Sequence, residues 1–165
     1  MLGSKPLRVV AGMAAVTLLV LALFMVYRMF MVAGLGYIDP GDRTLVDLGQ
    51  RVYSQSCAVC HGEQLEGQPD WRQRRPDGRL PAPPHDVTGH TWHHPDAVLM
   101  DILRNGMQPG VMAPENYLSD MPAYEGFLSE HEMRAVLAYI KSKWPQEALL
   151  AQRRATRQYS ERNSF

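Results

Sequence analysis

The hydrophobic pattern changes character near residue 40. Before that point Val9 to Tyr27 runs nineteen residues without a charge, and apolar character resumes after Arg28 through Ile38. At ~1.5 Å rise per residue, about twenty apolar residues cross a ~30 Å hydrocarbon core, so the run predicts a transmembrane anchor over residues 9–36. Beyond it the apolar positions become periodic. Leu45, Leu48, Val52 and Tyr53 recur at helical spacing between Arg43 and Ser56, and Val98, Leu99, Ile102 and Leu103 do so over Asp96–Arg104 before an Asn105-Gly106 stop. The clearest helix comes last. Ser129-Glu130-His131-Glu132 is a capping box, Met133, Val136, Leu137, Ile140 and Trp144 form one stripe, and Pro145 ends it. Residues 62–90, with four prolines among 76–84, and residues 107–124 lack periodicity and read as loops. The chain therefore predicts an all-α fold behind a single N-terminal span.

This pattern sets an organisation of residues 1–8 as a short N-terminus, 9–36 as the anchor and 37–42 as a breaker-rich linker. Residues 43–145 form the domain and 146–165 a basic tail, in which helix and disorder fit equally. A cleaved signal peptide is the rival for the N-terminus. Its apolar region should be only ~7–15 residues and end at a small-x-small site; the run is longer and the site after it weak, so a retained anchor is preferred. Lys5 and Arg8 put the N-terminus in the cytoplasm by the positive-inside rule, and Arg28 would snorkel outward beside Tyr27 and Tyr37. Ala11-x-x-x-Ala15 is a spacing that packs helices, though apolar helices often contain it by chance.

Charge adds little specificity. Residues 42–145 carry ten basic and fourteen acidic side chains, a net of −4, while residues 146–165 set four arginines against two glutamates, a net of +2. Nothing resembles a nucleic-acid footprint. An acidic middle suits a basic partner and suits a solvated surface equally.

Cysteine usage changes the picture. The only two cysteines lie in Cys57-Ala58-Val59-Cys60-His61. Two thiols at this spacing can form thioethers to the two vinyl groups of one haem, and the histidine that follows becomes an axial iron ligand. A thioredoxin-like redox pair would need a βαβ context and a zinc site a second ligand pair; neither is present.

The order helix, Cys-x-x-Cys-His, Pro-rich loop, short helix, Met loop, last helix resembles the class I c-type cytochromes over roughly residues 42–145. Gly49-x-x-x-Tyr53 is similar to that family's Gly-x-x-x-aromatic element, and Val136 to Lys141 to the helix that crosses it. The resemblance implies one covalent haem c on Cys57 and Cys60, with His61 as one axial ligand and a methionine as the other. Met121, in Met121-Pro122 before the last helix, is the preferred candidate; Met107 and Met112 remain open, and Met100 and Met133 lie on helices and read as core. It also implies that a proline carbonyl, from Pro83 or Pro84, orients the axial histidine.

The segment His85 to His94 departs from the simplest members, with four histidines in ten residues. It could bind copper or zinc, or replace methionine at iron. The preferred expectation is a loop over the haem edge that offers His90 or Trp92 to a propionate, with Arg72 of the Trp71–Arg75 stretch as a further partner. The resemblance thus implies no enzyme but a one-electron carrier of a respiratory or photosynthetic chain. It would sit in the inner membrane with its haem domain on the periplasmic side and exchange electrons with membrane redox complexes. The alternatives are an integral subunit of a larger redox complex, or a haem or copper sensor.

Overall fold

A computed structural model of the chain describes residues 4–34 and 36–163, and within the first helix the side chains of residues 12–27. It resolves into two compact units, residues 1–35 and 36–165. The first is one helix, α1 (Ser4–Gly34). Its described side chains are all exposed, Leu18, Phe24 and Met25 among them. Lys5, Arg8, Ala11 and Arg28 lie outside the described side chains. Among the described residues no helix is long and apolar enough to cross a membrane. The span expected over 9–36 is therefore not supported by the described structure.

The second unit holds five more helices: α2 (Arg43–Ser56), α3 (Ala58–His61), α4 (Asp96–Asn105), α5 (Glu130–Ser142) and α6 (Gln146–Arg162), with a 3₁₀ turn at Thr91–His93. Strand structure among the described residues is limited to isolated bridges. Local chemistry fixes the helix starts. Asp42 accepts from Leu45 N at 3.1 Å at the head of α2, and the Ser129–Glu132 capping box closes on itself at the head of α5. Positive φ at Gly106 (+65°) turns the chain out of α4 against the Met121–Ala123 backbone.

The main packing is α2 across α5. A Cβ at Gly49 would collide with the Ala135 carbonyl, so a residue with no side chain is what allows the two backbones to meet. One turn on, Tyr53 and Tyr139 fill the crossing with ring centroids 5.3 Å apart. Val52, Leu99, Met100, Leu103, Met133, Val136, Leu137 and Ile140 complete the core around them, so Met100 and Met133 pack as the helical pattern indicated.

The segment Gln146–Arg162 is a packed helix. α6 buries Ala148, Gln152 and Thr156 and lies against the 3₁₀ turn. It closes over a buried ion pair, Lys141 Nζ standing 2.9 Å from both Asp96 oxygens, with the two side chains 0% and 1% exposed. The Asp96 carboxylate also accepts from Gln152 Nε2 at 2.7 Å and from Ile38 N at 2.7 Å. Thr156 Oγ1 accepts from Asp96 N at 3.0 Å. Such a pair is tolerated in a dry interior when further hydrogen bonds satisfy the carboxylate, as those from Gln152 and Ile38 do here.

Candidate functional site

α2 feeds directly into the Cys-x-x-Cys-His segment. Cys57 N donates to Tyr53 O at 2.8 Å and His61 N to Cys57 O at 2.9 Å, so the segment folds as the short helix α3. Gly62, at φ +79°, then reverses the chain, and Tyr53 Oη donates to its carbonyl at 2.9 Å. The aromatic residue of the helix crossing thus also fixes the end of the motif.

His61 is buried, 7% exposed. Its Nδ1 lies 2.9 Å from Pro83 O. A carbonyl can only accept, so Nδ1 carries the proton and Nε2 is left as the nitrogen able to bind a metal. Burial lowers the pKa of the ring, with the Pro83 contact opposing it. Pro84 takes no part, its carbonyl facing Gly89. Both thiols are free, Cys57 buried and Cys60 exposed. Burial pushes the Cys57 thiol up to about 11, against the Tyr124 hydroxyl. Tyr124 Oη donates to Ser56 O at 2.8 Å and anchors the loop that follows Met121 beside Cys57.

One member of the histidine segment has a place the sequence did not indicate. The His85 ring stacks on His61, centroids 4.0 Å apart and planes 22° apart. Its Nδ1 is 2.8 Å from Thr91 Oγ1, and its carbonyl accepts from Trp144 Nε1 at 2.6 Å. Its place directly after Pro83-Pro84 was the only available signal. His90 and Arg72 both gather on Trp71, His90 stacked at 5.5 Å and the Arg72 guanidinium 3.9 Å from the ring centre. Trp92 stacks on His93 at 3.7 Å. Among the described residues no three His, Cys, Asp or Glu side chains converge as a metal site needs. Each of the loop histidines makes a ring contact.

Met121 is half-buried against the core. Its amide donates to Ser119 Oγ at 3.1 Å. Met107 and Met112 are also partly buried, but neither is packed against the core cluster.

The family model for cytochrome c matches residues 46–144, from α2 through Trp144. The chain belongs to the cytochrome c family. No curated protein and no solved structure matches it. Membership makes this cytochrome an electron-transfer haem protein whose cofactor is covalently bound haem c, and Cys57 and Cys60 stand in the helical segment where the family's attachment motif belongs. The residues fit that group on a second observation. Trp92 Nε1 is a buried donor without a partner among the described residues, the type of group a haem propionate would accept from.

Proposed function

We propose that this cytochrome is a monohaem one-electron carrier in which His61 and Met121 supply the two axial ligands. The observation that carries the reading is His61 itself: buried directly after the two thiols, held in one tautomer by Pro83 O at 2.9 Å, and so offering Nε2. Bound haem c supplies the one-electron couple. The chain's residues supply everything else. Cys57 and Cys60 retain the group, Pro83 and His85 hold the His61 plane, and the core under α2 and α5 excludes water. Met121, next to the rigid Pro122, would supply the second ligand, and a methionine ligand would favour the reduced state.

Two axial protein ligands leave no position for a substrate, which supports a carrier over an enzyme or gas sensor. Met121→Ala in the haem-loaded protein is expected to abolish the red charge-transfer band of methionine-ligated ferric haem and to lower the reduction potential. A band that survives Met121→Ala would refute the ligand assignment.

The same reading attaches the protein to the inner membrane through α1, with the haem domain on the periplasmic side, where it serves membrane redox complexes of a respiratory or photosynthetic chain. Its support is the uncharged run Val9 to Tyr27 and the exposed apolar side chains along α1, a surface that water does not favour. After carbonate washing, the cytochrome is expected to stay with membranes; its appearance in the soluble fraction would overturn the attachment.

A further inference from the structure

One guanidinium ties together the two loops that carry the axial machinery. Arg75 Nη1 donates to Asp120 Oδ2 at 3.3 Å, and Arg75 Nη2 donates to Gln68 Oε1 at 2.6 Å. That same Gln68 oxygen accepts from Ala82 N at 3.0 Å, and Gln68 N donates to Ala82 O at 2.9 Å. Asp120 immediately precedes Met121. Ala82 immediately precedes Pro83, whose carbonyl holds His61. A continuous run of hydrogen bonds therefore joins the residue beside one proposed ligand to the residue beside the other ligand's orienting carbonyl.

The Asp120 end is braced further. Arg79 Nη1 stands 3.0 Å from Asp120 Oδ1 and donates to Ser119 O at 3.0 Å. Leu80 N donates to Leu118 O at 3.0 Å, and Arg75 N to Arg79 O at 2.9 Å. These bonds reach the Met121 loop from its N-terminal side, while Tyr124 holds the other side, its N donating to Leu103 O at 2.9 Å and its hydroxyl to Ser56 O at 2.8 Å. The fork geometry matters here. A planar guanidinium can bond two acceptors in fixed directions, which a lysine ammonium on its flexible stem does not reproduce.

We propose that Arg75 is a positioning residue that couples the Met121 loop to the His61–Pro83 pair, so that Met121 is kept within reach of the iron by the side that also orients His61. This rests on the assignment of His61 and Met121 as ligands. Half-exposed ion pairs contribute little to global stability. Their effect falls on a local equilibrium, methionine on or off, where small energies change populations.

The test uses the full chain with haem bound, in the ferric state, titrated with imidazole, which must displace methionine to bind. Arg75→Gln is expected to raise the apparent imidazole affinity on the order of fivefold, the scale of one or two surface pairs. Arg75→Lys should not restore the original value. Asp120→Asn should act in the same direction, and combining it with Arg75→Gln should give less than the sum of the two changes. Arg74→Gln, whose guanidinium donates to the Gly78 carbonyl four residues on and to neither Gln68 nor Asp120 among the described contacts, should leave the affinity unchanged. Rescue by Arg75→Lys, an equal rise with Arg74→Gln, or additive effects of the Arg75 and Asp120 changes would each overturn the coupling. The Met121→Ala spectrum separates the two levels. If that change removes the charge-transfer band while Arg75→Gln leaves imidazole affinity unaltered, the ligand assignment stands and the coupling falls. If the band survives Met121→Ala, both fall.

Discussion

At Gly49 a single hydrogen in place of a side chain lets α2 lie on α5. Any Cβ there meets the Ala135 carbonyl, which is backbone and cannot swing aside. Gly49→Ala is expected to destabilise the protein by about 3 kcal/mol through overpacking, read as a lower denaturant midpoint at unchanged slope. His94 makes a different kind of residue-scale prediction. Burial lowers its pKa from 6.5, as do the neighbouring His90 and His93 charges. Below that ordinary value the unfolded chain takes up a proton that the folded ring resists. Stability is therefore full above pH 6.5 and declines as pH falls through it. Replacing His94 with Gln should flatten that decline, measured as melting temperature between neutral and mildly acidic pH. Gly49 was legible in sequence because its partner aromatic lies four residues on. His85 was not, since its stacking on His61 depends on how the Pro83-Pro84 turn sets a ring in space.

Among the elements, α6 shows what periodicity misses. Its buried face is largely polar, Gln152 and Thr156, so no apolar stripe marks it. Its partner is the first turn of α4, Asp96, fifty-six residues before Gln152. Burial draws the Lys141 ammonium down to about 8 even with Asp96 opposing that shift, and the Tyr37 ring covers it at 3.8 Å. Lys141→Met removes the countercharge and leaves Asp96 buried with only neutral donors. The expected cost is roughly 3–5 kcal/mol, the range for breaking a buried pair, visible as a large fall in melting temperature. The α2, α4 and α5 helices, by contrast, announce themselves through stripes and caps of their own. The capping box at Ser129 forms as written in the sequence, because both of its bonds are local.

At the scale of the whole molecule, the chain divides at residue 35. The second unit holds the entire core, both thiols, His61 and Met121. A chain starting at Gly36 is accordingly expected to fold, to incorporate haem and to show the same absorption spectrum as the full chain. It should also lose the proposed membrane attachment, checked by fractionation of the two forms side by side. A changed spectrum in the shorter form would mean that α1 contributes to the haem environment.

The sequence by itself determined what is local. Helical periodicity, the capping box and the five-residue attachment motif each depend on spacings within a few residues, and those spacings define the family and its haem. Tertiary structure alone decided what depends on distant parts of the chain meeting. It chose Pro83 over Pro84 as the partner of His61, set His85 against that ring, and folded the last helix over Asp96. It also joined Arg75 to Asp120, forty-five residues apart. The reason is physical: a hydrogen bond or stacked pair between loops is fixed by the packing of the core that carries them, and no short window of sequence contains that information.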